Sequence, residues 1–344
     1  MNKDMIQDFI DQTGRNDDAY EYATPERSKV ETMFYTGNDP WHRIGTKLDN
    51  PATAAEAIEA AGLNWEVAVE PVFINRGGEW IPTDRYAVSR ADRGGVFQVG
   101  VTSRYTPLQN SEAFKFFDAI VGAGEAIYHT AGSLRGGRVV WILAKMPGDI
   151  GLTGDPAEKY IMLSNSHDGT MGVDMRFCAR RVVCQNTLKM ALSNGSLNAR
   201  FRHTSNIMRK VNQTRDFLGL RDAYFHNFMA GVERLADKQI SLEQNHDYLS
   251  KVFNYAPTTE NPQTRVKNVI GDIENLFLGQ GRGADLVTAK GTAWGAFNAV
   301  SEWAEHHRYG DGGTDLISRR LNSSFYGSGA KIEQRAWEQA IALA

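Results

Sequence analysis

Apolar residues alternate with polar ones in short runs over roughly the first two hundred positions, then recur at helical spacing to the end. Thr53 is placed to cap AAEAIEAA, and Gly62 can close that helix in the left-handed conformation. Trp65–Val69 alternates as a strand, and Pro71 is expected to interrupt before Val72–Ile74. Tyr86–Ser89 and Val96–Val101 form a predicted strand pair joined by the turn-rich ADRGG. Ser111 is the expected cap of the amphipathic SEAFKFFDAIVGAG. Strands return at Ala126–Ala131 and Val139–Leu143 around Gly136-Gly137, and at Tyr160–Leu163 and Gly172–Arg176 across SHDGT.

After Thr204 the period changes to that of helices. SNIMRKVNQTRDFLGLRDAYFHNFMAGVERLAD, SLEQNHDYLSKVF, NPQTRVKNVIGDIENLFL and TAWGAFNAVSEWAEHH all carry it. Strands followed by helices predict an α+β fold with a largely antiparallel sheet and an all-helical C-terminal part. The expected organisation is a flexible arm over 1–30, an α+β domain over 31–204 and a helical domain over 205–344. Ala293, Ala296 and Ala299 are small positions that would let the last of these helices pack closely, as core or subunit interface.

Charge sharpens this picture. Residues 171–215 hold nine Lys/Arg against one acid, Asp174, whereas the other 299 residues carry 29 basic and 40 acidic side chains. An acidic chain that gathers positive charge in one stretch points to an anionic partner, since such a field concentrates phosphates near the surface. Internal ion pairing with acids elsewhere is the competing account.

Composition is ordinary for a globular protein, with 42% hydrophobic and 23% charged residues. No apolar run approaches the ~20 residues of a membrane span, and the polar N-terminus lacks the apolar core of a signal peptide, so a cytoplasmic location without membrane partners is expected. Cys178 and Cys184 make no disulfide framework. No CxxC or HExxH occurs, and neither a metal nor a cofactor is expected. GSLRGGR (132–138) lacks the Lys-Ser/Thr of a P-loop and reads as a turn. GQGRGAD (279–285) imitates a dinucleotide fingerprint but follows a helix.

The densest polar cluster runs through SHDGT, FCARRVVCQNTL and FRHT. Arg176, Arg180, Arg181, Lys189, Arg200, Arg202, Arg209 and Lys210 are the expected phosphate contacts, with Gln185, Asn186 and His203 meeting bases or sugar. On a strand Arg200 and Arg202 would share one face. Phe177, Phe201 and Tyr105 could stack on bases, as in sites for single strands, where each stack is worth about 1–3 kcal/mol. An enzyme reading uses Cys184 as thiol nucleophile, His167 or His203 as base and Asp168 as its orienter. Against it, Cys184 sits in an apolar VVC run. A third reading is a protein that binds a host factor through its acidic helical half.

PWHRIGTKL, TPLQNSEAFKFFDAI, TAGSLRGGRVVWILAKMP, SNSHDGT, RRVVCQNTL, FRHT and GTAWGAFNAVSEW together resemble the phage/plasmid-like proteins of the domain-of-unknown-function family 932, from about residue 33 to 344. The Ala179-Arg180 approach to RVVCQNTL departs from that pattern. The resemblance implies carriage on phages, prophages and plasmids, near replication and recombination functions, and no known reaction. A similarity to single-strand annealing proteins implies rings that hold single strands in a basic groove. The expected function is therefore non-enzymatic binding of single-stranded nucleic acid, DNA rather than RNA, by a homo-oligomer.

Overall fold

A computed structural model describes residues 30–36, 45–92, 95–121, 126–183, 187–188, 198–207, 209, 221–258, 261–308 and 314–344. The arm expected over 1–30 lies outside these residues, except for Val30, which opens the first strand.

The strands are β1 (Val30–Thr36), β2 (Thr46–Leu48), β3 (Val67–Arg76), β4 (Glu79–Arg90), β5 (Val96–Val101), β6 (Ile127–Leu134), β7 (Val139–Lys145), β8 (Ile150–Leu152), β9 (Asp155–Ser166), β10 (Val173–Arg181), β11 (Thr187–Leu188) and β12 (Asn198–Phe201). Helices α1 (Ala54–Ala60) and α2 (Asn110–Val121) interrupt them. Beyond β12 lie α3 (Arg221–Asp237), α4 (Leu242–Phe253), α5 (Thr264–Asn275), α6 (Ala293–Glu302), α7 (Thr314–Tyr326) and α8 (Ser328–Leu343). The fold is α+β, with antiparallel sheets in the N-terminal and middle parts and helices gathered at the C-terminal end.

The main sheet has nine strands, with the path β11-β10-β9-β7-β6-β1-β2; β12 pairs with β10 and β8 with β9. Strands β1 and β2 pair in parallel. A separate three-stranded sheet orders β3-β4-β5. Here the strands exceed the expectation. β3 runs straight through Pro71, because a register shift between Pro71 and Phe73 absorbs the missing N–H. The resulting long hairpin turns at Gly77-Gly78, both at positive φ.

Local signals explain the helix ends. Thr53 and Glu56 form a reciprocal capping box on α1, and Gly62 lies at φ +62° just past it. Helix α2 starts at Asn110, one residue before the expected serine cap. Asn110 is taken up by the interior instead, its Nδ2 donating to the carbonyls of Leu63 and Trp65 at 3.1 and 3.3 Å. A Cβ on Gly295 would fall 1.9 Å from the Ala289 carbonyl oxygen, so the first turn of α6 packs backbone to backbone on the preceding loop. The small positions of α6 serve the core, with Phe297 edge-on to Trp337 of α8 at 5.3 Å.

Both faces of the main sheet are covered, which is why VVWILA in β7 is continuously apolar. On one face Val140, Ile142, Ala144, Ile161, Leu163 and Phe177 pack against α1, α2 and α3. Phe177 meets Tyr224 and Phe225 at 5.4 and 5.8 Å. On the other face Val139, Trp141, Leu143, Met162 and Cys178 pack against Leu321 and Phe325 of α7. The helical part thus grips the sheet from both sides. Among the described residues no helix is long and apolar enough to cross a membrane.

A buried ion pair joins sheet to helices. Asp155 receives Arg181 Nε and Nη2 at 2.6 and 2.7 Å, with both side chains 1% exposed. Trp294 Nε1 and Thr288 Oγ1 donate to the same carboxylate at 3.0 and 3.1 Å. Removing one partner of such a pair strands a buried charge, so Asp155→Ala should cost roughly 3–5 kcal/mol, whereas Arg200→Ala, which removes an exposed side chain and leaves Asp174 paired with Arg176, should cost less than about 1 kcal/mol. Urea unfolding followed by circular dichroism measures both.

Candidate nucleic-acid interface

Alternation along β10 sorts the basic stretch. Val173, Met175, Phe177 and Ala179 face the α3 side, and Arg181 goes with them into the interior. Its guanidinium lies 5.7 Å from the Trp294 ring and is fully engaged by Asp155, so it meets no external ligand. Asp174, Arg176, Cys178 and Arg180 face the α7 side.

On that side a cleft of about 330 Å³ opens between the sheet and the α7–α8 corner. Arg135, Arg176, Arg200 and Lys331 line it together with Phe325 and Tyr326. Asp174, buried at the base, orients two of the cations. Arg176 Nε donates to its Oδ2 at 2.6 Å, and Arg200 Nε approaches Oδ1 at 3.4 Å. The Arg200 side chain remains 70% exposed. Four cations line the recess around this one carboxylate among the described residues, which concentrates positive charge there. Tyr326 Oη shares a hydrogen bond with Ser164 Oγ at 2.9 Å, and burial pushes its pKa up, so it stays a neutral hydroxyl.

Arg135 and Lys331 lie outside the basic stretch and were not anticipated. Arg135 sits at φ +58° immediately before Gly136 and Gly137, also at positive φ. A non-glycine residue in that region is uncommon and costs energy. Asn322 of α7 holds it there, accepting from Arg135 Nε at 3.1 Å. The arginine within GSLRGGR was the available signal. Nothing local marks Lys331, which α8 brings in from more than 100 residues away.

The other expected contacts are dispersed. Arg180 faces a second cavity at the opposite end of the strands. β12 ends at Phe201, so the shared strand face expected of Arg200 and Arg202 does not reach Arg202, which is exposed beyond it. Arg209 is also exposed. His203 stacks on Tyr105 at 5.1 Å and is partly buried. Gln185, Asn186, Lys189 and Lys210 lie outside the described residues.

Of the thiol triad, Cys184 also lies outside them. His167 is fully buried between Trp65 and Phe97, at 5.6 and 5.7 Å, with Nε2 3.3 Å from Asn110 Oδ1. Asp168 spends Oδ1 on the Thr170 N–H and hydroxyl, at 3.0 and 2.6 Å. That is an Asx turn, and His167 Nδ1 makes no hydrogen bond, so Asp168 does not act as the orienter of that ring. Among the described residues no group of three metal-ligating side chains occurs.

Burial drives the pKa of His167 down to about 3, with the neighbouring His203 adding to the effect. The unfolded chain protonates this histidine near pH 6.5 and the folded chain does not. Its contribution to stability is therefore complete above about pH 6.5 and is lost as pH falls toward 3. His167→Gln should flatten the fall of unfolding free energy between about pH 6 and 4 by roughly 1.4 kcal/mol per pH unit, as read from urea titrations.

The family described as a domain of unknown function (DUF932) matches residues 99–337. No curated protein and no solved structure matches the chain. The matched span runs from β5 to α8 and includes every lining residue of the cleft, and the chain belongs to this family, DUF932.

Proposed function

We propose that this protein binds single-stranded nucleic acid, with the cleft between β10, β12 and the α7–α8 corner seating the phosphate backbone. The observation that carries this reading is the convergence of Arg135, Arg176, Arg200 and Lys331 on one recess beside Phe325 and Tyr326. Cations that hold phosphates next to rings that can stack bases are the two components of single-strand sites. A planar guanidinium bonds a phosphate bidentately, and Asp174 holds two such groups in place before any ligand arrives. The recess is at the small end of ligand sites, which run about 300–1,000 Å³, so one unit of a longer strand would sit in it. Assembly of several copies into a ring or filament would line such recesses along the strand. The resemblance to phage- and plasmid-borne proteins supports DNA as the strand and annealing or recombination as its use.

Binding of a labelled strand of about 30 nucleotides, followed by fluorescence anisotropy, should weaken as salt rises. Four phosphate contacts correspond to a slope of log K on log salt near −3 for a single strand. Arg200→Glu combined with Lys331→Glu, two surface changes, should lower affinity at least tenfold and make that slope shallower. Absence of salt-dependent binding, or an unchanged affinity in the double variant, would overturn the assignment.

A further inference from the structure

A second cavity, about 340 Å³, lies on the α7-side face at the opposite end of the strands from the cleft. Its floor comes from consecutive neighbours across the sheet: Arg180 of β10, Glu158 of β9, Lys145 of β7 and His129 of β6. His129 reaches it through an irregularity. Tyr128 pairs with Ala144 but Thr130 pairs with Leu143, so His129 is an extra, unpaired residue in β6. Bulges of this kind re-aim a side chain, and they are common beside functional sites.

The polar groups of the floor are unequally satisfied. Glu158 accepts from Lys145 Nζ at 2.7 Å and from the Tyr160 hydroxyl at 2.6 Å, one donor on each oxygen. Lys145 and Glu158 thus neutralise each other. Arg180, across the sheet from Glu158, acts on that carboxylate only at longer range. Among the described residues no carboxylate is in ion-pair contact with it, and its Nη1 lies 3.4 Å from His129 Nε2. That contact is favourable only with a neutral imidazole whose Nε2 accepts. Burial first, and the Arg180 charge next, hold the pKa of His129 down to about 4, which keeps it in that form. A partly buried guanidinium that bonds the Tyr160 hydroxyl and His129 but makes no direct ion pair therefore faces the cavity.

We propose that this cavity binds a small monocarboxylate with an apolar body, its carboxylate on Arg180 and its hydrocarbon part against Ile127, Pro51 and Val182. The fork of a single arginine matches a carboxylate bidentately. Glu158 and the exposed Asp49 on the rim balance Lys145 and Arg180, which favours a monoanion over a phosphate dianion. Ile127 and Val182 are 42% and 45% exposed at the rim, and such a ligand would cover them. The site is independent of the nucleic-acid reading, since the two cavities share no lining residue.

Butyrate is the probe, with saturation-transfer difference NMR and calorimetry as the readouts. Wild-type protein should bind it saturably at millimolar concentration, and inorganic phosphate should not displace it. Arg180→Gln should weaken binding at least tenfold while leaving single-strand binding unchanged. Val182→Asp, at an exposed rim position that leaves the fold intact, should weaken it similarly by repelling the carboxylate. No saturable butyrate binding, equal binding in both variants, or displacement by equimolar phosphate would each overturn the proposal.

Discussion

The buried pair of Arg181 and Asp155 is the constraint around which sheet and helices are arranged. Asp155 opens β9, Arg181 closes β10, and the register that sets Arg181 opposite Ala157 brings guanidinium and carboxylate together below the sheet. Two charges taken out of water are tolerable only when every hydrogen-bonding site is filled. Trp294, Thr288 and the Gly283 carbonyl complete the set, and all three come from the helical part. The close packing of α6 on its preceding loop at Gly295 follows from the same demand, because it holds the Trp294 indole within reach.

That pair also divides the work of the arginines. Strand alternation sends Arg181 to the α3-side face and Arg176 and Arg180 to the α7-side face, where each lines a cavity. Neighbouring residues thus have unrelated roles. Arg181 is an interior tie, Arg180 stands in a cavity with a neutral histidine, and Arg176 is clamped by Asp174 at the cleft. Each environment is set by what lies across the sheet, and one β-bulge at His129 is enough to give the second cavity its own chemistry.

Burial, more than charge, controls the histidines. His167 and His129 are both pushed well below the usual imidazole range because little water reaches them, and His203 moves in the same direction. Neutral imidazoles suit a packed interior: His167 fills the space between Trp65 and Phe97 as an aromatic surface, and His129 accepts from Arg180. A base at position 167 would need solvent or substrate access that the ring stack denies it.

Residue pattern alone determined the α+β class, the order of strands then helices, the capped α1 with its closing glycine, and the turn at Asp168-Gly169. These depend on interactions within a few residues, which periodicity and turn chemistry record directly. Pattern also located the positive stretch. It misjudged Pro71, since whether a strand tolerates proline depends on the register of its neighbour, and it placed the α2 cap at Ser111 while Asn110 was committed to the interior. Which arginines face outward was settled only by tertiary structure. Arg181 is cancelled by an acid 26 residues earlier, and the cleft draws Arg135 from a strained turn and Lys331 from the last helix. Charge in a sequence is a property of a segment, whereas a binding field belongs to a surface, and only folding decides which segments share one.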